Sequence, residues 1–216
     1  MIHKRSLVRR SAVVVASGAA ALALAACGGD DGNPATGHGG HTAGASATAS
    51  ASASQGQHNA ADTAFAKGMI PHHRQAVEMA GLAPGRAQSA AVKKLAADIE
   101  KAQAPEIRML SGWLTTWGEQ VPAEGADGHS MHGADAMEGM GGMMTGEEMT
   151  ELGNASGRAF DTAFMELMIK HHEGAVEMAR TEQADGAYAP AKKMAGDIIA
   201  SQSAEIARMR VLLGRD

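Results

Sequence analysis

One stretch of this chain is written twice, and the repetition limits the possible folds more than any other feature. Met69-Ile70-Pro71-His72-His73, followed by Ala76-Val77-Glu78-Met79-Ala80, returns as Met168-Ile169-Lys170-His171-His172, followed by Ala175-Val176-Glu177-Met178-Ala179. An offset of 99 residues aligns 62–114 with 161–213 without a gap. Such a period marks an internal duplication, so the fold is expected to be two similar halves. Beyond apolar positions the halves share His72/His171, His73/His172, Glu78/Glu177, Asp98/Asp197, Gln103/Gln202 and Glu106/Glu205. An apolar core needs none of these pairs.

Each half carries helical periodicity. Phe65, Met69, His72, Ala76 and Met79 form one stripe, and Ala66, Ile70, His73, Val77 and Ala80 the stripe beside it. A first helix is expected over about 62–82, with Asp62 as N-cap, Pro71 as a kink before the histidines, and Ala83-Pro84-Gly85 as its end. A second, over about 88–117, turns Val92, Leu95, Ile99, Leu110, Trp113 and Leu114 inward and is interrupted in its regularity by Pro105. Gln103 and Glu106 fall within or beside that inner stripe, where a buried carboxylate needs a partner. Thr145-Gly146-Glu147-Glu148 has the form of a capping box opening a short helix. Long helices are then expected over about 160–180 and 190–213, the second opened by Pro190. The expected fold is all-α: two tandem helical hairpins forming a four-helix bundle of two-fold pseudo-symmetry. Aromatics at 3% and 15 methionines suit helices packed through small and flexible side chains better than a sheet.

The segment 1–26 reads as a targeting signal: basic Lys4, Arg5, Arg9 and Arg10, an apolar run, then Leu24-Ala25-Ala26-Cys27. It resembles a bacterial lipoprotein signal, which implies cleavage before Cys27, lipidation of that cysteine and a chain tethered outside the cytoplasm. An uncleaved membrane anchor is the alternative, although the apolar run is short for a span of ~20 residues. Residues 27–61 are Gly, Ala, Ser and Thr with few others and read as a flexible tether, in which His38, His41 and His58 serve solubility or weak metal capture. The helical domain is expected over 62–216. Within it, the Gly-rich linker 118–146 carries His129, Met131, His132, Met137, Met140, Met143 and Met144 without helical or strand period. Those residues are either an accessory metal-capturing set or a tolerated low-complexity loop.

Met69 lies one turn before both His72 and His73, so thioether and imidazole can meet on one helix face, and Met168 repeats this before His171 and His172. Met79 lies about 10 Å further along the axis than His72, in a neighbouring layer, as does Met178 in the second copy. Core histidines hydrogen-bonded to carboxylates are the alternative reading. Two matched pairs, each preceded by methionine, point instead to metal, with Asp98, Glu106, Asp197 and Glu205 as candidates to orient the rings. Glu78 and Glu177 face solvent or pair along the helix, as Arg74 with Glu78. Thioether with imidazole is a soft set suited to Cu(I), and imidazole also accepts Cu(II) and Zn(II). Carboxylate-bridged iron would call for Glu-x-x-His, and methionine occupies that Glu position in both copies.

The doubled Met-Ile-x-His-His-x-x-Ala-Val-Glu-Met-Ala motif resembles domain-of-unknown-function family 305 of bacteria, whose characterised members include copper-binding, CopM-like proteins. The resemblance covers about 62–213. It implies a ferritin-like bundle outside the cytoplasm that binds copper in homeostasis, with Met69, His72, His73, Met79, Met168, His171, His172 and Met178 as the matching residues. The expected function is therefore non-enzymatic copper binding: sequestration, tolerance, or handover to a copper-handling protein. Two other classes stay open, a ferritin-like di-metal redox enzyme using Glu106 and Glu205, and a surface interaction module whose His–Glu contacts are structural. No catalytic Ser/His/Asp order or phosphate loop is present, and a formal charge of -5 gives no footprint for nucleic acid.

Overall fold

The computed structural model describes residues 57–124 and 141–215, which form five α-helices. These are α1 (Ala60–Arg86), α2 (Ala90–Trp117), α3 (Gly146–Asn154), α4 (Gly157–Asp185) and α5 (Ala189–Leu212). The expected signal segment with Cys27, most of the expected tether, and His129, Met131, His132, Met137 and Met140 lie outside the described residues. Among the described helices none is long and apolar enough to cross a membrane.

Local chemistry sets the helix ends, and two differ from expectation. The N-cap of α1 is Asn59, not Asp62. Its side-chain oxygen accepts the amides of Ala61 at 2.8 Å and Asp62 at 3.1 Å, while the Asp62 carboxylate accepts the Asn59 amide at 2.6 Å. This is a capping box in which Asp62 holds the third helical position. Helix α1 also runs through Pro84 to Arg86, because a proline forfeits one amide rung while the Ala87 amide still reaches the Ala83 carbonyl at 2.9 Å. Helix α3 opens with the capping box of Thr145 and Glu148. Helix α2 stops at Gly118, whose φ of 75° is the left-handed conformation that a glycine adopts without steric cost.

The hairpin α1–α2 repeats as α4–α5, and α1 packs against α4, with α3 touching both. Two related clamps join the halves end to end. Asp62, on the first turn of α1, accepts the amides of Ala187 and Tyr188 in the turn after α4, the shortest at 2.9 Å. Asp161, at the matching position of α4, accepts the amides of Gln88 and Ser89 after α1, at 3.1 and 2.9 Å. The central helices are therefore antiparallel, each start holding the other's exit. Asp161→Ala would leave two amides without acceptors in a half-buried turn. We expect a loss of about 1–2 kcal/mol, read as a lower urea midpoint at unchanged m-value.

The apolar core comes in two blocks. One holds Met79 and Ala83 of α1, Leu95 and Ile99 of α2, Phe160, Phe164 and Met168 of α4, and Met209 of α5. The other holds Phe65, Met69 and Ile70 of α1, Leu110 and Leu114 of α2, Ala175 and Ala179 of α4, and Met194 and Ile198 of α5. Along every long helix the residues between the blocks are polar: His72 and His73, Gln103 and Glu106, His171 and His172, Gln202 and Glu205.

Candidate metal centre

All four histidines of this middle layer are fully buried. His72 and His171, from the two central helices, meet with ring centroids 3.8 Å apart and planes inclined by 44°. His73 and His172 turn outward to the flanking helices. His73 Nε2 lies 2.7 Å from Glu106 Oε2 on α2, and His172 Nε2 lies 2.7 Å from Glu205 Oε2 on α5. An ionised carboxylate only accepts, so Nε2 of each of these rings donates to it, and Nδ1 is the nitrogen turned away from the glutamate. His72 Nε2 is 3.4 Å from the carbonyl of Gly141. Among the described residues, Nδ1 of all four rings, and Nε2 of His171 as well, is buried without a hydrogen-bond partner. Buried polar atoms left unpaired in this way are costly, and a cluster of them calls for an explanation.

Burial pushes His72 down to about 3, aided by the charge that His73 would carry and opposed by the Gly141 contact. Burial, and then the neighbouring histidines, hold His171 well below its ordinary range. Both rings are neutral at any physiological pH and so keep a nitrogen lone pair, which is the form that binds a metal ion.

Asp98 and Asp197 do not orient the rings. Asp98 pairs with Lys94 one turn earlier on α2, at 2.8 Å, and with Arg208 of α5 at 3.3 Å. Asp197 pairs with Lys193 at 2.6 Å on the exposed face of α5. Lysine at i−4 offers each carboxylate a solvated partner, and that spacing was the available sequence signal. Arg74 likewise bonds the carbonyls of Pro122 and Ala123 rather than Glu78, while Glu78 and Glu177 are exposed.

The methionines divide between the two blocks. Met79, Met144, Met165 and Met168 lie in one, while Met69 and Met194 lie in the other, with Met178 packed half-buried against it. Met144 fits neither reading of the linker set, metal capture or tolerated loop, because it is buried in the core. Gln75 bonds its backbone on both sides, Nε2 to the Met144 carbonyl at 2.9 Å and the Met144 amide to Oε1 at 2.7 Å, which seats the side chain among apolar neighbours. Met143 beside it is half-buried. Gln75, Gly141 and Gly174 are the residues of this region that periodicity alone passed over. Their only sequence signal was that Gln75 and Gly174, 99 residues apart, break the repeat.

Among the described residues no three His, Cys, Asp or Glu side chains are grouped to hold a metal ion by themselves. Imidazole and thioether donors together would make a soft set.

These features define a duplicated, two-hairpin helical bundle with a buried histidine layer between two methionine-bearing apolar blocks. The chain belongs to the family described as Domain of unknown function (DUF305), which it matches over residues 62–213. It is similar to a DUF305 protein described as secreted, from Streptomyces coelicolor, at 33% identity and a TM-score of 0.62, covering 71% of this chain and 92% of that one. It is also similar to CopM in its Cu(I)-bound form, at 32% identity and a TM-score of 0.57, and in its Cu(II)-bound form, at 34% and 0.59. Each of these covers 70% of this chain and 94% of the other. No curated relative matches.

Proposed function

We propose that this is a non-enzymatic copper-binding protein of the extracytoplasmic side, tethered to the membrane by a lipid on Cys27, that sequesters copper or hands it to a copper-handling partner. The observation that carries the reading is the set of buried ring nitrogens without partners among the described residues, placed between two methionine-bearing blocks. Imidazole lone pairs with thioethers suit Cu(I), and imidazole tolerates Cu(II). Glu106 and Glu205 would raise the basicity of His73 and His172, as supporting carboxylates do for metal-binding histidines. CopM, with both copper forms, and also a silver form, among the similar structures, supports the same class of ion. A di-metal redox centre would need several hard ligands together, and Glu106 and Glu205 are instead each engaged with a separate histidine.

The test is metal content and Cu(I) competition titration of the chain from Gly28 onward, beside a variant with His72, His73, His171 and His172 all changed to Ala. Tight copper in the parent and its loss in a still-helical variant is the expected result. Equal copper in both would move the site to the Met/His linker. None in either would end the copper reading.

A further inference from the structure

Positions 75 and 174 are equivalent by the repeat, yet they carry side chains as different as glutamine and glycine. Both touch the same piece of chain. The segment 141–144 crosses the central helices beside the histidine layer as a strap. On the α1 side, buried Gln75 grips it through the two backbone bonds to Met144. On the α4 side, Gly174 makes room for it, because a Cβ there would collide with the Gly141 carbonyl carbon and oxygen. Gly142 adopts φ 88° and lies so close to Lys170 and Gly174 that a Cβ would sit 2.7 Å from the Lys170 carbonyl oxygen. A grip on one helix and a cleared bed on the other hold the Gly141 carbonyl where it faces His72 Nε2.

That carbonyl can only accept, so it places the ring proton of His72 on Nε2 and leaves Nδ1 as the lone pair. It does for His72 what Glu106 does for His73 and Glu205 for His172. Among the described residues no atom within hydrogen-bonding geometry holds either nitrogen of His171, on which the His72 backbone acts only as the smallest influence. We propose that the strap is a working part of the histidine layer: the Gly141 carbonyl presets His72 as an Nδ1 donor, with Gln75 and Gly174 as the positioning residues that hold it. The duplicated halves are then unequal, with three rings preset through Nδ1 and His171 able to present either nitrogen. That Nδ1 of His72 is offered to copper rests on the function proposed above; the hold of the strap on the ring does not.

The two parts separate in one experiment. Long-range proton–nitrogen correlation spectra of the isotopically labelled, metal-free full chain report the tautomer of each buried ring. The parent should show His72 with its proton on Nε2. Gly174→Ala lifts the carbonyl and should turn His72 into a tautomer mixture while His73 and His172, held by glutamates, keep their patterns. Gln75→Met keeps the helix packing, removes both bonds to the strap, and should shift His72 in the same direction. Cu(I) competition on the same proteins should show about tenfold weaker retention in Gly174→Ala. An unchanged His72 pattern in both variants would overturn the proposal. A changed pattern with unchanged copper retention would uphold the strap's hold on His72 and overturn copper ligation by that ring.

Discussion

Alanine at both His72 and His171 is expected to weaken Cu(I) retention by roughly 100-fold or more, while Gln at both Glu106 and Glu205 weakens it by about tenfold. The difference follows from what each substitution removes. The inner rings meet across the two central helices and carry nitrogens that nothing among the described residues satisfies, so their loss deletes the donors themselves. Glutamine at 106 and 205 keeps an acceptor for Nε2 of the outer rings and removes only the charge that makes those rings more basic. The double alanine variant should remain folded, because the unpaired polar atoms it deletes are themselves destabilising and offset part of the cavity left behind. Competition titration with a Cu(I) chelator, checked by far-UV circular dichroism, reads both effects. Retention unchanged in the alanine variant would remove the inner pair from any metal site.

The duplication made the bundle legible, since it fixed two hairpins and paired Glu106 with Glu205 before any geometry was known. Both glutamates reach the ring that lies 33 residues before them, each at 2.7 Å. Asp98 and Asp197 share the same pseudo-symmetry and were misread for that reason. Repetition preserves surface ion pairs as faithfully as internal ones, and Lys94 and Lys193 repeat with them. The start of α1 was misplaced by a similar ambiguity: Asn59 and Asp62 both suit a helix entry, and only the reciprocal amide bonds show which residue caps and which answers.

What escaped the sequence lies where the repeat fails. Gln75 against Gly174 is a strap contact, and the linker piece that fills it has no period to announce it. The linker's methionines likewise gave no sign that Met144 enters the core, because its place is fixed by a side chain 69 residues away. Glu182 against Ala83 is another break, and it puts a carboxyl group into the interior beside the Asp62 clamp.

That carboxyl should give the protein a pH dependence of its own. Glu182 is 1% exposed, and neither of its oxygens meets a conventional donor among the described residues. Burial, then hydrogen bonding to Asp62 and the charge of Asp62, raise it from an ordinary 4.5 to about 8, with Lys192 pulling the other way. Burial raises Asp62 too, but the amides of Asn59, Tyr188 and Ala187 and the proton of Glu182 outweigh it and hold Asp62 low. The pair is thus an acid donating to a carboxylate. Between about 4.5 and about 8 the folded chain keeps a proton that the unfolded chain has released, so stability falls as pH rises through that window and the contribution is lost above it. His72 slopes the opposite way, since between about 3 and 6.5 it is neutral in the fold and charged when unfolded. Glu182→Gln separates the two, because an amide still donates to Asp62 and never ionises. The variant should match the parent near pH 5 and exceed it at pH 9 by roughly 2–3 kcal/mol, after allowance for solvent screening and Lys192. That corresponds to a melting temperature higher by about 5–10 °C in metal-free thermal scans. Parallel pH profiles for the two proteins would mean that Glu182 ionises inside the fold without cost, and would remove the acid–carboxylate pair from the account of this clamp.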